Sequence, residues 1–262
     1  MKTFILRTLA LLVSTTFYAT AQIHTLEIRH FTADTLLHYN TTRQPTLFLF
    51  DLDNTLIVTN HYKYGSDTWS AYIAGRLRDS CSHAYHTLFN VISPVNFATL
   101  PHTAVFPGQP TVIFQLDSMH RTKVMGLTSR SPKIAAITAQ NLTDAGYSFQ
   151  HDTTRDPFKM PEMKNSIIYT EGGNKGEALY RLLTAYPEYR RYFIVYIDDT
   201  KSKVEKVRNF LEERKQQKDP LITPLQYQLI HLNNPAGEES SLTPEERKRF
   251  WEDYTRLHEA YR

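Results

Sequence analysis

Residues 46–55 read TLFLFDLDNT. Thr46 to Phe50 form a near-continuous apolar run, the pattern of a strand buried on both faces, and the run stops in acid. Asp51 and Asp53 stand two apart, so on an extended chain their side chains project to one side. Two crowded carboxylates repel, and one is driven toward protonation unless a cation stands between them. Such a pair suits a nucleophile and a general acid or base, with a metal to keep the nucleophile ionised. Asp and Asn are also ordinary turn residues; the buried strand before the pair and Thr55 after it favour chemistry.

Outward from this stretch the chain alternates strand and helix, which predicts a parallel sheet covered on both faces. A short helix is expected over 32–39, opened by Thr32. Residues 63–92 are aromatic-rich and mostly helical. A helix over Pro110–His120 precedes a strand over Lys123–Thr128, and Ser131-Pro132 starts the next helix, which Gly146 ends. Tyr147–Phe149 is a candidate short strand, and 151–165 is polar and irregular. Strand-like Ser166–Thr170, helix Lys175–Ala185, strand Tyr192–Ile197, helix Lys201–Lys215 and strand Tyr227–Leu232 follow. Thr243-Pro244-Glu245-Glu246 is a capping box that opens a C-terminal helix.

Ligands of open α/β sheets bind outside the carboxyl ends of the strands, so polar residues there carry the functional reading. Thr128-Ser129-Arg130 follows one strand, and a hydroxyl with a backbone amide at that place can hold a phosphate oxygen; a helix N-cap region is the plainer reading. Lys175 opens a helix, where a lysine opposes the macrodipole and calls for an anion nearby. Asp198 and Asp199 end the strand YFIVYI and offer hard oxygen ligands suited to Mg²⁺; Asp199 as a cap for helix 201–215 is the alternative. That helix alternates basic and acidic residues like a solvated face.

Taken together, DLDNT at 51–55, Thr128, Lys175 and IDD at 197–199 resemble the haloacid dehalogenase superfamily, and in particular a group of secreted bacterial members. The resemblance implies a Rossmann-like core over 22–57 and 106–262, with a small helical cap over 58–105 inserted after the first core strand. It implies that Asp51 attacks phosphorus, that Asp53 serves as acid and then base, and that Thr128, Ser129, Lys175 and Asn54 hold the phosphoryl group. Mg²⁺ would sit on Asp51, Asp53 (through its carbonyl), Asp199 and Asp198. The implied function is phosphomonoester hydrolysis on a small phosphorylated substrate. A catalytically weak binding or effector module with an unknown protein partner, or a phosphotransferase, are the alternatives. Cap aromatics Tyr62, Tyr64, Trp69 and Tyr72 either face substrate or form the cap's own core.

The chain has 262 residues, 22% of them charged, and a net charge of +3, too small and dispersed an excess to argue for nucleic acid. Lys2 and Arg7, a short apolar stretch and Ala19-Thr20-Ala21 resemble a signal peptide over residues 1–21 with an A-x-A cleavage site. Export to the periplasm or medium is expected, with no stable membrane insertion after cleavage. The single cysteine, Cys81, excludes an internal disulfide. Cys81, His83 and His86 are too few for a structural zinc site. There is neither a P-loop nor a G-x-S-x-G elbow.

Overall fold

A computed structural model of the chain describes residues 23, 25–40, 44–59, 67–77, 88–149, 159–223, 226–233 and 243–260. The signal-like stretch 1–21, Tyr62, Tyr64, Cys81, His83 and His86 lie outside these residues.

Nine strands are present among the described residues: β1 (Thr25–Ile28), β2 (Thr46–Phe50), β3 (Ile57–Thr59), β4 (His102–Ala104), β5 (Thr122–Thr128), β6 (Met163–Lys164), β7 (Ile167–Tyr169), β8 (Phe193–Asp198) and β9 (Tyr227–Leu232). Seven of them form one sheet in the order β1-β9-β8-β2-β5-β7-β6. All its pairings are parallel except β6 with β7. The protein is therefore an α/β, Rossmann-like fold.

Successive residues of β2 face opposite sides, and that alternation divides the core. Phe48 and Phe50 join one apolar cluster with Leu36 of α1 (Ala33–His38), Ile113 and Leu116 of α4 (Gln109–Ser118), and Leu142 of α5 (Ala135–Asp144). Leu47 and Leu49 join a second cluster with Leu179 and Leu182 of α6 (Lys175–Ala185), and Val204, Val207 and Leu211 of α7 (Lys201–Gln216). Because β2 is buried on both faces, its sequence reads as a continuous apolar run rather than an alternating one.

Between β3 and β4 lie α2 (Asp67–Leu77), a π-helical turn (Leu88–Ile92) and α3 (Ser93–Thr99). The strands β3 and β4 pair antiparallel as a separate two-stranded ribbon at the root of this insertion. Trp69, Tyr72, Ile73, Leu77, Leu88 and Ile92 make a third apolar cluster, together with Phe250 and Tyr254 of α8 (Pro244–Ala260). Trp69 and Tyr72 are thus core residues of the insertion. The C-terminal helix packs on the insertion too, so the cluster draws on both ends of the boundary expected near residue 105.

Other expectations need correcting. Tyr147–Phe149 is not a strand: Tyr147 packs into the core, and its hydroxyl reaches the Leu56 carbonyl and Gln109 Oε1 at 2.7 and 2.8 Å. The Ser131-Pro132 start is a 3₁₀ turn, Pro132–Ile134, before α5 begins. Strands β1, β3, β4 and β6 were not foreseen, each being only two to four residues long. The capping box at Thr243 is present: its Oγ1 accepts from the Glu246 amide at 3.2 Å, and its amide donates to Glu246 Oε2 at 2.9 Å.

Candidate active site

From β2 the chain runs one way across the sheet, to β5 and β7, and later the other way, to β8 and β9. The reversal falls at the carboxyl end of β2, the place where such sheets bind ligands. Register decides what meets there. Phe50 pairs with Ile197 on one side and with Gly126 on the other. Asp51 consequently stands beside Asp198, and Thr128 ends the strand on the opposite flank.

Asp51 is almost wholly buried, and its amide donates to the Ile197 carbonyl at 2.8 Å. Lys175 Nζ lies 2.7 Å from Asp51 Oδ1 and 2.7 Å from Asp198 Oδ2. The lysine is brought in at the first residue of α6, where Asn174 caps the helix by accepting from the Gly176 amide. Gly176 is required for this placement, since a Cβ there would stand 2.9 Å from Phe210 Cβ on α7. Asp198 is held further by the Tyr196 hydroxyl and by the Thr200 amide, which donates to Oδ1 at 2.8 Å. Asp198, and not Asp199, thereby meets the first amide before α7.

Asp199 is tied to the Asp51 loop through Thr55. Its amide donates to Thr55 Oγ1 at 2.9 Å, and the Thr55 hydroxyl donates back to Asp199 Oδ1 at 3.3 Å. His231 Nε2 donates to the Asp199 carbonyl at 2.9 Å. One oxygen from each of Asp51, Asp198 and Asp199 lies within 4.8 Å of the others. Within this trio Asp51 Oδ2 is buried and accepts no hydrogen bond. Lys203 Nζ stands 3.7 Å from it. Burial, followed by the neighbouring Asp198 charge, pushes the Asp51 carboxyl up to about 6, against the pull of Lys175 and Lys203.

Asp53 goes elsewhere. After Asp53 the chain turns, with Asn54 in the left-handed region at φ 59° and its amide bonded to the Ile57 carbonyl. Asparagine tolerates that conformation better than most residues. The Asp53 carboxylate is gripped by both arms of Arg130, Nη2 to Oδ1 at 2.7 Å and Nε to Oδ2 at 2.9 Å. Burial pushes Asp53 up, but the Arg130 charge and its hydrogen bonds prevail and hold it below the usual carboxylate range. Arg130 is itself fixed by Thr138 Oγ1 and Asn141 Oδ1 on α5, and its guanidinium lies 4.1 Å from the ring centre of Phe97 on α3. The sidechain of Asp53 therefore faces a fixed guanidinium and stands outside the carboxylate trio.

The residues expected from the resemblance to hold phosphate are distributed around the same edge. Thr128 is buried, and its Oγ1 accepts from the Arg130 amide at 3.1 Å, which keeps its own O–H to donate. Ser129 is half-buried, and its carbonyl accepts from the Gly172 amide at 2.9 Å. Asn54 is buried in the turn after Asp53.

Residues 27–241 match the family described as Protein of unknown function (DUF2608). The chain belongs to this family. The matched stretch holds every residue of the site described above and ends ahead of α8. No match is found among curated proteins or among solved structures.

Three participants were not singled out from the sequence. Arg130 stands out in the sequence only as part of a triplet, although a permanent cation two residues past a buried strand must find an anion. Lys203 was grouped with a solvated face. It sits in the first turn of α7, where the macrodipole argument used for Lys175 applies equally. Tyr196 has no sequence signal, because a tyrosine in a buried strand is ordinary.

Proposed function

We propose that this chain is an exported, Mg²⁺-dependent phosphohydrolase of the haloacid dehalogenase type, with Asp51 as nucleophile. The observation that carries the reading is the state of Asp51. It is a buried carboxylate with one oxygen on Lys175, the other without a hydrogen bond, and two more aspartates alongside. A carboxylate whose only task is structural would have both oxygens hydrogen-bonded.

The residues fit a hard divalent ion. Mg²⁺ takes oxygen ligands and few of them from protein, and Asp51, Asp199 and Asp198 converge while Asp51 Oδ2 lacks a donor. Asp51 and Asp199 would hold it, with Asp198 close by and committed to Lys175, Tyr196 and the Thr200 amide. The ion's contribution, when bound, is positive charge against the transferred group.

The rest is done by the chain's own groups. An Asp51 oxygen attacks phosphorus in line with the leaving oxygen. The bond to the leaving alcohol breaks, giving an aspartyl-phosphate and an alkoxide; to protonate it, the Asp53 carboxylate must first leave Arg130 and take a proton from solvent. Water, losing its proton to Asp53, then attacks the same phosphorus, releasing inorganic phosphate and free Asp51. Lys175 and the Thr128 hydroxyl offset charge on the phosphoryl oxygens, which is where phosphoryl-transfer catalysis lies. The signal-like residues 1–21 are what supports export.

The test is phosphate release from 4-nitrophenyl phosphate by the mature protein with Mg²⁺. Asp51→Asn should lower turnover by on the order of 10³-fold or more, and EDTA should abolish it. Activity that persists in Asp51→Asn, or in EDTA, sinks the mechanism.

A further inference from the structure

The site holds two lysines of different kinds. Lys175 is buried, its sidechain 3% exposed, and locked at 2.7 Å to both Asp51 and Asp198. Lys203 is 30% exposed and stands 3.7 Å from Asp51 Oδ2, the oxygen that accepts no hydrogen bond. At that distance the attraction is charge on charge without a directional bond. Its helix is anchored: Val204, Val207 and Leu211 are buried in the core, and Phe210 packs against Gly176 of α6. The backbone of Lys203 is therefore fixed, and a flexible four-carbon stem carries a partly solvent-exposed ammonium. Its charge reaches Asp51, Asp53 and Asp198 alike.

Resting on the phosphohydrolase reading, we propose that Lys203 is a second phosphate-binding cation that competes with the divalent ion for Asp51. When the ion binds Asp51, like charge drives the Lys203 ammonium off Oδ2 toward solvent. There it meets the oxygens of an incoming phosphoryl group. Lys203 thus weakens cation binding to the free protein and strengthens phosphate binding to the metal-loaded one. Lys175 cannot take this part, because withdrawing it would leave two buried carboxylates without their cation.

The experiment is calorimetric titration of the full mature chain, wild type, Lys203→Met and Lys203→Arg, at low ionic strength. Mg²⁺ is titrated alone, then inorganic phosphate at saturating Mg²⁺. Removing a unit charge beside a partly buried site predicts, for Lys203→Met, about tenfold tighter Mg²⁺ and about tenfold weaker phosphate. Lys203→Arg should stay near wild type in both. Opposite signs separate this role from a structural one, which moves both affinities together or neither. Unchanged affinities, or a shift of both in one direction, overturn the proposal. If Lys203→Met does not fold, Lys203→Gln is measured with the same criteria. Wild type that binds neither Mg²⁺ nor phosphate fails the phosphohydrolase reading itself, a result distinct from those.

Discussion

Asp51 and Asp53 leave the same loop for opposite surroundings. Asp51 faces the β8 side, where it shares one lysine with a second buried aspartate, and its carboxyl is pushed up to about 6. Asp53 faces the β5 side, where a planar guanidinium fixed by α5 takes both its oxygens and holds it down. The lesson is that proximity in sequence did not give the two carboxylates the same close partner. Each has its own cation at hydrogen-bond distance, supplied by a different strand end or helix start, and the two are tuned in opposite directions although the Lys203 charge reaches both. A carboxylate left short of positive charge invites a metal; one already given an arginine does not.

The largest effect expected from disturbing this contrast is at Lys175. Lys175→Met leaves Asp51 and Asp198 buried without their shared cation, and should cost about 3–5 kcal/mol of folding stability. Urea denaturation of wild type and variant in EDTA measures it, and a cost under about 1 kcal/mol would mean the carboxylates are not short of charge.

Next in size is the opposite result for Asp51→Asn. In EDTA at pH 7.5 the variant should be more stable than wild type, by up to about 3 kcal/mol. Its Lys175 keeps Asp198, and an unfavourable buried charge is gone. The sign follows from linkage. The folded Asp51 carboxyl is raised to about 6 and the unfolded one is ordinary, near 3.8. Between these values the folded state binds more protons, so wild type regains stability as pH falls through about 6. The advantage of Asp51→Asn should shrink below pH 6 and vanish near pH 4. A gap that does not depend on pH breaks the assignment. For Asp53 the sign reverses: its contribution is complete above about 3.8 and is lost only as pH falls through its lowered value.

Smaller again is Arg130→Gln. Asp53 keeps some contact with solvent, its sidechain being 18% exposed, so losing the guanidinium should cost about 2 kcal/mol. The same variant detaches α5 and Phe97 from the loop that carries Asp53. Faster amide exchange over residues 53–57 would record that loosening, and unchanged exchange would count against it.

The site was legible in the sequence as far as backbone position decides it. Asp51, Thr128 and Asp198 follow strands whose apolar runs announce them, and parallel strands bring such ends to one edge. Lys175 was legible because a lysine at a helix start needs a reason. The two-residue spacing misled for Asp53: it says nothing of Arg130, which arrives from beyond the end of β5 and takes both Asp53 oxygens. Lys203 was hidden in a helix whose charge alternation resembles solvated surface, and the helix N-terminus that points it inward shows only when α7 docks on the sheet. Short strands such as β3 and β4 were missed because two or three residues carry no period.

By itself, then, the sequence determined the parallel sheet, the faces of its strands and the chemical types collected at their ends, because burial and secondary-structure period are local properties written residue by residue. Only the tertiary structure decided which cation meets which carboxylate, and that the C-terminal helix completes the core of the insertion. Those outcomes depend on register and on helix docking, which join groups far apart in the chain and leave no mark on any stretch of it.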